Sequence, residues 1–198
     1  MSVQEHDTTI SDRDSELLAN IASGDKLAFE KLCSHYGERI FRYAFRLTAD
    51  ATKAEEVTND VMLEVWKNAG KFECRSKVST WLLGITRHVA FNAIRRKQVE
   101  TVDIEDTTPP ISDDTGADRA IDHRKLKEGL RQALLKLSPE HRDVIELTFF
   151  HECSYQEIAD IVGCPVNTVK TRMFHARKLL QGYLVQKNLN PRTVEMMS

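Results

Sequence analysis

Residues 154–178 read SYQEIADIVGCPVNTVKTRMFHARK. Ser154 followed by Glu157 has the pattern of a capping box, in which a hydroxyl and a carboxylate each satisfy a backbone amide at a helix start. Ile158 and Ile161 then fall on one side of that helix, and Ala159 is small where a second helix must come close. Gly163 predicts the stop, because a tight exit from a helix favours a residue that tolerates positive φ. Pro165 suits the first turn of a following helix, where its missing N–H is not needed. There Val166, Val169, Met173 and Leu180 recur at helical spacing, and Lys170, Arg172, His175, Arg177 and Lys178 are accompanied by no carboxylate. A short helix, a glycine turn and a basic second helix, in that order, predict a DNA-reading helix-turn-helix. Its candidate contacts are Asn167, Thr168, Lys170, Thr171, Arg172, Phe174, His175 and Arg177. The N-terminal members of that set would meet base edges, and the cations would meet phosphate.

The rest of the chain decides what kind of DNA-binding protein this is. Its 198 residues suit one or two small domains. No apolar run approaches membrane-spanning length, and the start MSVQEHDTTISDRDSE is polar and acidic rather than a signal sequence, which predicts a cytoplasmic protein without membrane insertion. Cys33, Cys74, Cys153 and Cys164 contain no Cys-x-x-Cys pair, which argues against a disulfide framework or a zinc finger. The net charge of −2 conceals a strong division along the sequence. Residues 1–16 carry −4, 17–97 carry +5, 98–122 carry −7, 123–185 carry +3 and 186–198 carry +1. Two basic blocks therefore flank an acidic one.

The acidic block, QVETVDIEDTTPPISDDTGADRAID, contains Pro109, Pro110 and Gly116 and few large apolar residues. It cannot bury enough surface to fold by itself and is expected to be a flexible linker. Upstream, Phe29, Leu32, Tyr36, Ile40, Tyr43 and Leu47 predict a helix from about residue 25 to 48. Thr52 and Glu55 suggest a capping box for the next, which continues through Val57, Val61, Val65 and Trp66 to a stop at Gly70. A third is expected over about 79–97, with Trp81, Leu82, Ile85, Val89 and Ala93 on its apolar side and a basic end, FNAIRRK. Downstream, Leu126, Leu130, Leu134 and Leu137 predict one helix, and Ser138-Pro139 caps another containing Val144, Ile145 and Phe149. The expected fold is all-α: a helical bundle at 17–97, a linker at 98–122, and a four-helix domain at 123–185, with tails at 1–16 and 186–198.

With both blocks in view, the chain resembles the extracytoplasmic-function sigma factors, the small two-domain class of bacterial RNA polymerase sigma subunits. In the first domain the resemblance rests on GDKLAFEKL, KAEEVTNDVMLEVWKNAGKF and STWLLGITRHVAFNAIRRK. In the second it rests on LSPEHRDVIELTFF and the helix-turn-helix. It spans about residues 17–185 and implies sigma regions 2 and 4. It further implies that core RNA polymerase, through its largest catalytic subunits, and promoter DNA are partners, and that an anti-sigma factor controls the protein. No cofactor, metal or enzymatic activity follows from it.

The resemblance assigns polymerase contact to Glu55, Glu56, Asp60 and Glu64, with Met62 and Trp66 as apolar anchors. Glu56, Asp60 and Glu64 lie four apart on one helix face, where carboxylates would orient and speed docking. Lys53 stands where relatives often carry another acid. Reading and melting of the minus-ten element is assigned to Ser76, Lys77, Ser79 and Thr80 in a loop and to Arg87, His88, Asn92, Arg95 and Arg96 on the next helix. Holding a separated strand requires cations along its backbone and room for an extruded base. Phe72 and Trp81 are expected to be core anchors. The minus-thirty-five element falls to the helix-turn-helix, with Lys170, Thr171, Phe174 and His175 at the reading positions; His175 stands where arginine is common. The linker's charge suits a strand threaded through channels built for nucleic acid. A free-standing helix-turn-helix regulator would instead bind duplex DNA without polymerase. A metal- or thiol-based sensor is suggested by His151, Cys153, Cys164 and His175, whose spacings fit no common zinc pattern.

Overall fold

A computed structural model describes residues 13–100 and 129–186. Among them every regular element is a helix. The chain divides into two compact units, an N-terminal one containing residues 13–100 and a C-terminal one built on 129–186. Residues 98–100, expected to open the linker, instead continue the helix that begins at Val78, while residues 1–12 of the expected N-terminal tail, 101–122 of the linker, Leu126 and the far C-terminal tail lie outside the described residues.

In the N-terminal unit α1 covers residues 13–22, so helix reaches back into the stretch read as an acidic tail. Leu18 and Ile21 anchor it in the core, and Asp14, also buried, accepts a hydrogen bond from the Tyr36 hydroxyl. Burial, followed by that hydrogen bond and the charge of Asp14, pushes the Tyr36 phenol above its ordinary range. The turn at Gly24 (φ +90°) leads to Asp25, whose side chain accepts from the amides of Leu27 and Ala28 at 2.8 and 3.2 Å. That cap opens α2, Lys26–Thr48, which buries Leu32, Tyr36, Ile40, Tyr43 and Leu47 as their spacing predicts. Next, α3 spans Ala51–Asn68 and buries Ala54, Val57, Val61 and Val65. Its cap is Asp50, accepting from the Lys53 amide at 3.1 Å, rather than the expected Thr52–Glu55 box. The chain enters from a left-handed residue, Ala49 (φ 55°), which leaves Asp50 extended and places its carboxylate over the first free amides.

The stop near Gly70 is a 3₁₀ turn, Ala69–Lys71, following α3. Helix α4 spans Val78–Glu100. Its buried stripe is Val78, Leu82, Leu83, Thr86 and Ala90, rotated from the expected one; Trp81, Ile85, Val89 and Ala93 are half-buried. Thr86 is tolerated inside because its hydroxyl donates to the Leu82 carbonyl at 2.8 Å. Helices α2, α3 and α4 all pack on one another, so the acidic side of α3 and the basic side of α4 are held by one core.

In the C-terminal unit residues 129–135 form α5, and Ala133, Leu134 and Leu137 are buried. Leu137 lies past the helix, in the turn to α6. The Arg142 guanidinium donates to the carbonyls of Leu134, Leu135 and Leu137 at 3.0, 2.8 and 3.4 Å, satisfying acceptors that the end of α5 leaves over. Ser138 caps α6, Pro139–Phe149, with Pro139 in its first turn. Val144, Ile145 and Leu147 are buried and Phe149 is half-buried. Helices α7, Tyr155–Val162, and α8, Val166–Gln186, complete the unit, with α8 packed on α6.

Candidate nucleic-acid and polymerase interfaces

The turn between α7 and α8 is built by local chemistry. Ser154 accepts from the Glu157 amide at 3.2 Å, and Glu157 accepts from the Ser154 amide at 2.8 Å, completing the capping box. Gly163 takes φ 71° and, with Cys164, donates to the Ala159 carbonyl at 2.9 and 3.1 Å. A Cβ at Gly163 would meet nothing within 4 Å, so conformation rather than space demands glycine. Pro165 stands one position earlier than expected, just before α8, and its carbonyl accepts from Thr168 and Val169. Val169, Met173 and Leu180 are buried as anticipated, Val166 only partly, and Ala176 and Leu184 extend the same stripe.

The opposite side of α8 exposes Asn167, Lys170, Thr171, Phe174, His175 and Lys178. These recur at three- and four-residue steps and form one continuous stripe of cations, hydrogen-bonding groups and an aromatic ring. Phe174 is 64% exposed, and its ring meets that of His175 edge-on at 5.5 Å. Thr168 and Arg172 flank the stripe, half-buried. Arg177 turns away from it: its guanidinium lies 5.6 Å from the Phe149 ring centre on α6, where it contributes packing. The start of α6 also approaches α8, with the His141 and His175 rings 6.4 Å apart. Both line a groove of about 480 Å³ that continues along Leu179, Gly182 and Tyr183.

On the N-terminal unit the predicted minus-ten residues divide into three groups by exposure. Lys77, His88, Arg95 and Arg96 are exposed, and Ser76, Ser79, Arg87 and Asn92 are half-buried. Thr80, in contrast, is buried within the first turn of α4. Loop residues Glu73 and Arg75 pair at 2.7 Å, and Cys74 between them adopts φ 53°. Arg87 lies 4.4 Å over the Phe91 ring, and Asn92 is 3.0 Å from the His88 Nε2. Phe91 is absent from the predicted set; its signal is an aromatic residue set among cations. Phe72 and Trp81 pack on each other at 5.4 Å.

The acidic side of α3 exposes Glu55, Glu56, Asp60 and Glu64. Lys53 pairs with Glu56 at 2.7 Å, and Asn68 donates to Glu64 at 2.8 Å. The expected anchors lean on α2 instead of standing out: Trp66 meets Phe29 edge-on at 5.1 Å, and the Met62 sulfur lies 3.6 Å from that of Cys33. Leu63, 54% exposed between Asp60 and Glu64, is the apolar group on that surface, and periodicity could not reveal it. His151 is buried, Cys153 and Cys164 are half-buried, and His175 is exposed. Among the described residues no three His, Cys, Asp or Glu side chains gather to hold a metal ion. No helix among them is long and apolar enough to cross a membrane.

The Sigma-70 region 2 family matches residues 32–100, and the Sigma-70 region 4 family matches 127–180. The RNA polymerase sigma factor YlaC of Bacillus subtilis (strain 168) is 30% identical over 158 residues, covering 76% of this chain and 88% of its own. The ECF RNA polymerase sigma factor SigW of the same strain is 28% identical over 176 residues, covering 84% and 94%. The chain belongs to the extracytoplasmic-function sigma factors. A solved relative, the sigma factor RpoE in complex with the anti-sigma factor NepR from Bartonella quintana, superposes with a TM-score of 0.65 at 26% identity, covering 79% of this sigma factor and 96% of that chain. As a member of the family, this sigma factor is a transcription-initiation subunit and not an enzyme. It binds core RNA polymerase and directs it to specific promoters.

Proposed function

We propose that the two units divide the work of this sigma factor as follows. In region 2, taken as residues 17–97 together with the start of α1 at 13–16, α3 docks on core polymerase through Glu55, Glu56, Asp60 and Glu64. Leu63 supplies apolar contact among those carboxylates. The loop after α3 and the exposed side of α4 hold the minus-ten strand, with Lys77, Arg87, His88, Asn92, Arg95 and Arg96 as contacts. In region 4, taken as 123–185, α8 reads the minus-thirty-five element through Asn167, Lys170, Thr171, Phe174 and His175, while Lys178 meets phosphate. The linker at 98–122 joins them as a polyanion suited to a nucleic-acid channel. The protein acts in the cytoplasm and is held inactive by an anti-sigma factor, a reading supported by the relative solved with NepR.

The observation that carries this reading is the continuous exposed stripe of α8 in a helix-turn-helix whose second helix lacks carboxylates. Its charge and hydrogen-bonding groups suit the major groove. The test is a pull-down with bacterial core RNA polymerase, followed by run-off transcription across a promoter library. Association with core and transcripts from a small promoter set are expected. Failure to bind core, with tight binding to duplex DNA alone, would overturn the proposal.

A further inference from the structure

Recognition by α8 depends on side chains that emerge from a solvent-exposed helix. Long side chains of this kind lose rotamer freedom when they bind, so a device that orders them beforehand raises affinity and sharpens discrimination. The first turn of α6 supplies such a device. Ser138 caps the turn: its hydroxyl accepts from the His141 amide at 3.3 Å and lies 3.0 Å from the His141 Nδ1. This second contact fixes the imidazole's orientation. The ring so fixed stands 6.4 Å from that of His175, at 63°, an edge-to-face arrangement across the two helices.

We infer that His141 is a positioning residue, which sets the conformation of His175 and so tunes minus-thirty-five selectivity from outside the helix that carries the stripe. The inference rests on the reading of α8 as the minus-thirty-five reader. The imidazole edge of His141 limits the angles open to the His175 ring. Base discrimination then depends on two helices instead of one.

The decisive experiment is a double-mutant cycle in reconstituted holoenzyme, measuring run-off transcription from promoters that differ only in the minus-thirty-five element. His141→Ala is expected to reduce discrimination between the preferred and altered elements roughly three- to tenfold, with core binding unchanged. In a His175→Ala background the same change should have no further effect. His141→Phe keeps an aromatic ring against His175 and should restore part of the discrimination, which also serves if the alanine variant folds poorly. Unchanged discrimination in His141→Ala and His141→Phe alike would overturn the inference. An equal loss with and without His175 would do the same, since His141 would then touch DNA itself or merely hold the fold. Lys170→Ala with Thr171→Ala separates the two levels. If that pair shifts promoter choice while His141→Ala does not, only the inference fails; if neither shifts it, the reading of α8 fails as well.

Discussion

Helices α3 and α8 present opposite chemistry in opposite ways. On α3 the exposed carboxylates surround one leucine, Leu63, and the larger apolar side chains Met62 and Trp66 rest against α2. On α8 cations alternate with neutral hydrogen-bonding groups, and Phe174 stands out from the helix. The acidic surface suits a single protein partner, for which charge sets approach and a buried apolar group supplies affinity. The second surface suits an object that is uniformly anionic but varied at its base edges, where charge holds and neutral groups discriminate. Damage to α3 should therefore be felt at every promoter, and damage to α8 only at some.

The largest effect should come from reversing the acidic face. Glu56→Lys with Asp60→Lys places like charge against the polymerase, and such juxtaposition costs several kcal/mol, a loss of roughly a hundredfold or more in core affinity. Holoenzyme assembly measured by competition should fall equally whichever promoter is used. Next, Lys170→Ala with Thr171→Ala should cost about 1–3 kcal/mol for each base edge that the helix no longer reads, leaving core binding intact. Transcription from a promoter panel should then be reordered rather than uniformly weakened. If both pairs of changes acted alike, the division between the helices would be wrong.

Two smaller effects sharpen the structural side of the comparison. Asp50→Ala should cost about 1 kcal/mol in thermal or denaturant unfolding of the N-terminal unit, as loss of a helix cap usually does, whereas Thr52→Ala should cost much less. An equal cost would return the cap to Thr52. Tyr36 contributes an alkaline dependence with a definite sign. Its folded phenol ionises at higher pH than a free tyrosine, so its stabilisation is complete below about pH 10 and is lost as pH rises beyond that. Tyr36→Phe should flatten the alkaline limb of the stability curve and leave the neutral region's slope unchanged.

The caps also show where local sequence was sufficient. Around α7 and α8 the capping box, the glycine and the proline lie within a dozen residues, and each acts on backbone groups within four positions of itself. Such signals survive any tertiary arrangement. Before α3 two cap patterns overlap, Asp50 with Lys53 and Thr52 with Glu55, and the left-handed turn at Ala49 selects the first. The stripe of α4 departs from expectation for a different reason. Hydropathy discounts a threonine at the centre of a core, but within a helix the Thr86 hydroxyl finds the Leu82 carbonyl and its burial costs little. Of the proposed contacts, Thr80 and Arg177 are drawn into packing, while Leu63 and Phe91 emerge where periodicity had nothing to say.

Much of this protein followed from sequence alone: an all-α fold, two basic blocks about an acidic one, the order of its motifs and the helix, glycine turn and second helix of α7 and α8. Periodicity, capping and charge are properties of neighbours in the chain, and they can be read before anything folds. Tertiary structure decided which members of each helix look outward. It turned Arg177 onto Phe149, laid Trp66 on Phe29, tied Asp14 to Tyr36 and brought the first turn of α6 to the side of α8. Those outcomes depend on partners distant in the chain. No local pattern encodes such pairings, because they exist only when two helices meet at one angle and one register.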